Sequence, residues 1–124
     1  MGIGVSQVSL YVRDQQKAVD FWSRKVGFTV TRDMAYGENR WIEVQPPSGG
    51  TRLALLKADP QWPETPAGPG YVLFEADDIE AEYERLNAAG VPFTRPPKQE
   101  HWGWSATFVD DEGHEFHLGQ RRSG

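Results

Sequence analysis

The sequence predicts an α+β fold made of two tandem copies of one module, strand–helix–strand–strand–strand (βαβββ). Asp14, Ala18, Gly27, Thr31 and Arg32 recur 63 positions later as Asp77, Ala81, Gly90, Thr94 and Arg95. Self-similarity at one fixed spacing marks a repeated structural unit. Each Asp-to-Gly interval carries helical periodicity, and the segments around it alternate polar with apolar residues at the period of a strand. The chain has 124 residues, the size of one ordinary domain with a core of its own.

Taken in order, Gln7, Ser9 and Tyr11 alternate with Val8, Leu10 and Val12, a strand with one apolar face. Asp14 stands where its carboxylate can accept the first free amides of a helix. Ala18, Val19, Trp22 and Val26 form that helix's apolar stripe, and Gly27 is placed for the left-handed residue that ends it. Strands are expected from Phe28 to about Ala35, from Arg40 to Gln45 and from Arg52 to Lys57. The turn sequences Tyr36-Gly37-Glu38-Asn39 and Pro46-Pro47-Ser48-Gly49-Gly50 separate them. The stretch 58–70 holds four prolines and reads as a linker, neither helix nor central strand.

The second module begins where Val72, Phe74 and Ala76 alternate with Tyr71, Leu73 and Glu75. One residue must be dropped in the turn that follows to keep the two modules in phase. Asp77 is expected to cap the second helix, with Glu80 completing a capping-box pattern. Ile79, Tyr83 and Leu86 form its stripe and Gly90 ends it. Strands follow at Val91 to Thr94, Trp104 to Val109 and Glu115 to Gln120, the last two joined by Asp110-Asp111-Glu112-Gly113. The expected organisation is therefore a single domain, 1–124, with a first module at 5–57, a linker at 58–70 and a second module at 71–120. A frayed tail follows at 121–124.

Composition excludes several functions. With no cysteine, disulfides, thiolate metal sites and a cysteine nucleophile are ruled out. A net charge of −5 argues against a nucleic-acid binder, which needs a basic face. No apolar run approaches the ~18 residues of a membrane span, and the N-terminus lacks a signal-peptide pattern. The loose acylation motif at Gly2 runs straight into a strand. A cytoplasmic location is expected. Five Trp and an aromatic content of 12% are high, and rigid aromatic rings often mark a binding surface.

Three stretches carry a resemblance: Val8-Ser9-Leu10-Tyr11-Val12-Arg13-Asp14, Ala18-Val19-Asp20-Phe21-Trp22 with Val26-Gly27-Phe28, and Thr107 through Leu118. Together with the βαβββ repeat they resemble the vicinal oxygen chelate superfamily, the group of glyoxalase I, bleomycin-resistance proteins and extradiol dioxygenases. The resemblance covers almost the whole chain. It implies two modules forming a curled mixed sheet around a central cleft, and commonly a homodimer. The cleft-facing candidates are then Gln7, Ser9, Tyr11, Trp41, Glu43, Gln45, Arg52, Ala54, Leu56, Tyr71, Leu73, Glu75, Glu115 and His117.

Metal-dependent members hold one divalent ion with His, Glu or Gln at four strand positions. Motif alignment places those positions at Gln7, Ala54, Tyr71 and His117. Ala54 has no donor atom, and Tyr71 is a poor ligand unless ionised, with an unperturbed pKa near ~10. A shifted set of Gln7, Glu75 and His117 is the alternative. His114 and His117 form an H-x-x-H pair but point to opposite faces of a strand. His101 reads as a surface residue.

The expectation is a protein without a cofactor, and leaning away from catalysis, that sequesters an aromatic or apolar small molecule in the manner of an antibiotic-resistance protein. Tyr11, Trp41, Tyr71 and Trp102 would stack on the ligand, and Gln7, Glu43 and His117 would hydrogen-bond to it. Trp22 reads as core. Glu43, Glu75 and Glu115 favour a neutral or cationic ligand, with Arg52 as an opposing charge. The alternative is a metal-dependent lyase, isomerase or dioxygenase of the same superfamily. A third reading is an interaction module whose cleft is plugged by its own side chains.

Overall fold

The computed structural model describes residues 2–64 and 72–120. The chain divides into two compact units, Met1–Thr65 and Pro66–Gly124. In the first, strand β1 (Gln7–Val12) is followed by helix α1 (Gln15–Asp20), which continues as a π-helical turn over Phe21–Val26, and by β2 (Thr29–Tyr36), β3 (Asn39–Gln45) and β4 (Arg52–Lys57). In the second, β5 (Leu73–Ala76) precedes helix α2 (Ile79–Ala88), β6 (Phe93–Glu100), β7 (Gly103–Val109) and β8 (Glu115–Gln120). Each unit holds one four-stranded mixed sheet, ordered β1-β4-β3-β2 and β5-β8-β7-β6. The first and last strands of each unit pair in parallel and the remaining pairs are antiparallel. Among the described residues no helix is long and apolar enough to cross a membrane.

The two helices start and stop as local chemistry dictates, with one difference from the repeat. The Asp14 carboxylate accepts from the Lys17 amide at 3.0 Å. In the second unit Asp78, not Asp77, is the cap, accepting from the Ala81 amide at 3.1 Å. The Asp77–Glu80 capping box therefore does not form. Thirteen positions separate Asp14 from Gly27, but only twelve separate Asp78 from Gly90. The first helix absorbs its extra residue as the π-turn, where the Gly27 amide reaches back five residues to the Trp22 carbonyl at 3.0 Å. The residue that keeps the modules in phase is thus gained inside the first helix rather than dropped in the second turn. Gly27 and Gly90 adopt φ of 95° and 91°, which side-chain-bearing residues rarely tolerate.

In the first unit the core is aliphatic, capped by indole. Leu10 and Val12, Ile42 and Val44, and Leu53 and Leu55 are buried with Val19, Phe21, Trp22 and Val26 of the helix. The Trp22 ring meets Phe21 edge-on at 5.3 Å and Phe28 at 5.5 Å. Gln15, the first helical residue, is only 8% exposed. Its amide donates to the Arg40 carbonyl at 2.6 Å and the Leu55 carbonyl at 2.8 Å, and accepts from the Arg40 amide at 3.1 Å. The β3–β4 register ends at Ile42↔Leu55, so this side chain does for Arg40 what a strand residue would otherwise do. Arg40 also clasps Asp33 of β2 through two guanidinium nitrogens. That hydrogen bonding holds the Asp33 carboxyl below its ordinary range.

The second core is aromatic. Phe74, Phe108 and Phe116 form a triangle with centroids 5.6–5.7 Å apart, and Tyr83 of α2 meets Phe93 edge-on at 4.8 Å. Strand β6 runs on to Glu100, well past the expected stop at Thr94, and carries Pro96 and Pro97 with it. It can do so because it is the sheet's edge, where a missing N–H breaks no ladder. The register shift between Arg95 and Lys98 takes up the two prolines, and another between Phe93 and Arg95 precedes it.

The β7–β8 turn is tied by Asp110, which is buried. One carboxylate oxygen accepts from the amides of Glu112 at 3.0 Å and His114 at 2.8 Å, while the other lies 2.9 Å from His114 Nδ1. Asp110→Ala should therefore cost about 2–3 kcal/mol, since it strands buried donors. Asp110→Asn, which keeps an accepting oxygen for the amides, should retain at least half of that. Urea denaturation of the two variants checks the ranking; equal losses would show that the carboxylate does not organise the turn.

Candidate functional site

The polar face of the first sheet is assembled by register. Gln7, Ser9 and Tyr11 of β1 stand beside Arg52, Ala54 and Leu56 of β4. Glu43 of β3 stands beside Ala54, and Arg32 and Met34 of β2 stand beside Glu43 and Trp41. Continuing that register puts Met34, Trp41, Leu56 and Tyr11 in one row across four strands. Arg32, Glu43, Ala54 and Ser9 make the next row, and Gln45, Arg52 and Gln7 the third. Four of the expected site residues, Gln7, Tyr11, Trp41 and Glu43, thus share one face. Tyr36, two residues further along β2 and opposite Asn39, sets its ring edge-on to Trp41 at 5.4 Å, and Met34 and Tyr36 are both exposed.

Glu43 is the electrostatic centre of this face. It is only 7% exposed. Its Oε2 accepts from Trp41 Nε1 at 2.7 Å, and its Oε1 lies 3.3 Å from Arg52 Nε. Arg32 Nε is 3.9 Å from Oε2. A buried carboxylate must be answered by charge or hydrogen bonds, and here it has both. Glu43 is therefore engaged within its own sheet, which the sequence reading, treating it as a ligand contact that favours cations, did not foresee.

A further aromatic residue, outside the expected site set, stacks on Tyr11. Trp62, assigned to the linker, lies parallel to Tyr11, with centroids 5.9 Å apart and planes 8° from parallel. Asp59 sets it there: its carboxylate accepts from the amides of Gln61 at 2.8 Å and Trp62 at 2.7 Å. The signal was present as an Asp before Pro, a turn-forming pair, three residues ahead of a Trp. The stack leaves Trp62 55% exposed.

In the second unit, His117 pairs with Leu73 on one side and Thr107 on the other. Its Nδ1 lies 3.5 Å from Ser105 Oγ, and the Trp102 ring is 6.2 Å from the imidazole, tilted by 34°. Two of the expected site residues, Trp102 and His117, are thus brought together, with the indole half exposed. His114 is buried on the opposite face, against Phe116, as strand alternation requires. Glu115 accepts from Thr94 Oγ1 at 2.9 Å. Tyr71 lies outside the described residues.

A divalent ion needs three or four converging oxygen or nitrogen donors. Of the first unit's two aligned positions, Ala54 is fully buried and offers only a methyl group, leaving the Gln7 amide alone. In the second unit Glu75 pairs with Gly119, one row from His117, and Leu73 stands directly across from the imidazole. The residues present do not fit the metal set that the resemblance implies.

Comparison with known proteins agrees with this architecture. The family model described as Glyoxalase/Bleomycin resistance protein/Dioxygenase superfamily matches residues 4–118. The uncharacterized protein YetH of Bacillus subtilis (strain 168) is 38% identical, over 92% of this chain and 95% of its own length. TnmS3, an antibiotic binding protein from Streptomyces sp. CB03234, superposes with a TM-score of 0.84 at 35% identity, covering 98% of this chain and 99% of that one. A superfamily member from Sphaerobacter thermophilus superposes with a TM-score of 0.83 at 31% identity, covering 96% and 98% of the two chains.

Proposed function

The chain belongs to the Glyoxalase/Bleomycin resistance protein/Dioxygenase superfamily, and we propose that within it the protein is a metal-independent binder that sequesters a flat aromatic or otherwise apolar small molecule. One observation carries this reading. The first sheet presents Trp41 and Tyr11 in one row, with the Tyr36 ring edge-on to Trp41, next to a row in which Ala54 offers no ligating atom. Flat rings stack on such side chains with little loss of conformational entropy. The similarity to an antibiotic-binding protein supports an antibiotic as the class of compound. In this reading Trp102 and His117 give the second unit a contact of its own, one ring to stack and one imidazole to hydrogen-bond. The protein acts as a cytoplasmic homodimer.

The test is quenching of tryptophan fluorescence by a planar probe, anthracene-2-carboxamide. Trp41→Ala and Trp102→Ala should each weaken binding about tenfold, the scale of a lost stack and its buried area. Unchanged affinity in both variants would end the stacking proposal. Metal content after exposure to Ni²⁺, Zn²⁺, Mn²⁺ and Fe²⁺ tests the other half. We expect no retained ion after dialysis; near one tightly held ion per chain would refute metal independence.

A further inference from the structure

We propose that the first sheet selects ligands bearing an anionic oxygen, a carboxylate or an ionised phenol attached to the flat ring, and that Arg52 and Arg32 are the residues that select it. The inference rests on the binding reading above and specifies the charge of the ligand.

The observation is a mismatch around Glu43. One buried carboxylate faces two guanidinium groups and an indole N–H. Its charge is therefore balanced by the first arginine, and the second leaves this patch with one net positive charge. Neither arginine is used up by the carboxylate. Both approach it through Nε, at 3.3 and 3.9 Å. Arg52 Nε is buried yet makes no hydrogen bond among the described residues. The side chains of Arg52 and Arg32 remain 37% and 57% exposed. A guanidinium carries five donors in a planar fork suited to a carboxylate. The Nη groups, which make no hydrogen bond among the described residues, are donors for an acceptor arriving from solvent.

Position matters as much as charge. Trp41 shares Glu43 Oε2 with Arg32, so the indole and that guanidinium are anchored to one atom. A ring stacked on Trp41 would place a substituent on its edge beside the arginine fork. Glu43 lies beneath them, buried, and serves as a positioning residue for Trp41 and the two arginines. A ligand cation would have to compete with both arginines for it. A ligand anion meets donors already in place, and hydrogen bonds to a charged partner are the stronger kind.

Three matched probes test this: anthracene-2-carboxylate, anthracene-2-carboxamide and 2-(aminomethyl)anthracene, titrated against the full-length protein by tryptophan quenching. The carboxylate should bind about tenfold or more tightly than the amide, and the ammonium most weakly. Arg32→Gln and Arg52→Gln should each shrink the carboxylate-over-amide ratio. Raising NaCl from 0.05 to 0.5 M should narrow the same ratio, a readout that needs no variant to fold. Equal affinity for all three probes, or tightest binding of the ammonium with loss in Glu43→Gln, would overturn the proposal and leave aromatic binding standing. Failure of all three probes to bind would overturn the binding reading and this inference with it.

Discussion

Trp22→Ala should lower the unfolding free energy by about 3–5 kcal/mol, the range for truncating a fully buried aromatic side chain. The ring is 1% exposed and packs on Phe21, which opens the π-turn, and on Phe28 just beyond it. Its removal leaves a void that the helix cannot close freely, because the Trp22 carbonyl receives both the Gly27 and Phe28 amides, at 3.0 and 2.8 Å. Trp22→Phe should recover more than half of the loss, as most of the volume is restored. Urea denaturation followed by circular dichroism measures both. A loss below about 1 kcal/mol for the alanine variant would mean that the site collapses around the gap and that the π-turn is not held by packing.

Gln15→Leu should cost about 3 kcal/mol, although leucine fits the apolar surroundings and forms helix well. The cost arises because three hydrogen bonds to β3 and β4 are lost at once. Backbone groups left unpaired in a buried place carry a full desolvation penalty. Gln15→Glu should cost at least as much, since the oxygen that replaces Nε2 faces the Arg40 and Leu55 carbonyls and a buried charge is left poorly answered. Gln16→Ala is the control. Gln16 is exposed and bonds Asp20 at 3.0 Å and Arg40 Nη1 at 2.8 Å, and it should change stability by less than about 1 kcal/mol. Equal effects at the two positions would refute the role assigned to Gln15. Amide exchange at Arg40 gives an independent readout, since its N–H should open faster in the leucine variant than in the parent.

What the sequence by itself determined is what depends on near neighbours. A cap needs one carboxylate three residues from an amide, so Asp14 was legible. A left-handed stop needs one residue without Cβ, so Gly27 and Gly90 were legible. A strand's faces need only alternation, so Gln7, Tyr11, Trp41 and Glu43 could be put on the polar side before any pairing was known. The repeat added the order of elements, and Ala54 at an aligned ligand position was readable as a missing donor. Asp77 was chosen over Asp78 because the repeat was assumed to keep one spacing, whereas a π-turn had shifted it by one.

Tertiary structure alone decided the rest, because those features join residues far apart in sequence. Gln15 acts on Arg40 and Leu55, 25 and 40 positions away, and no local rule distinguishes it from Gln16. Pro96 and Pro97 lie in a strand because that strand is an edge, a fact of sheet order. Trp62 reaches Tyr11 only after β4 has paired with β1 and Asp59 has turned the chain back. In the sequence Glu43 is an acid on the polar face of a strand, expected to hydrogen-bond a neutral or cationic ligand. It became the anchor for an indole and two arginines once β2, β3 and β4 had been laid side by side. Burial then required its charge to be answered from within the sheet, since a buried carboxylate without hydrogen-bonding or charged partners would be too costly to keep ionised.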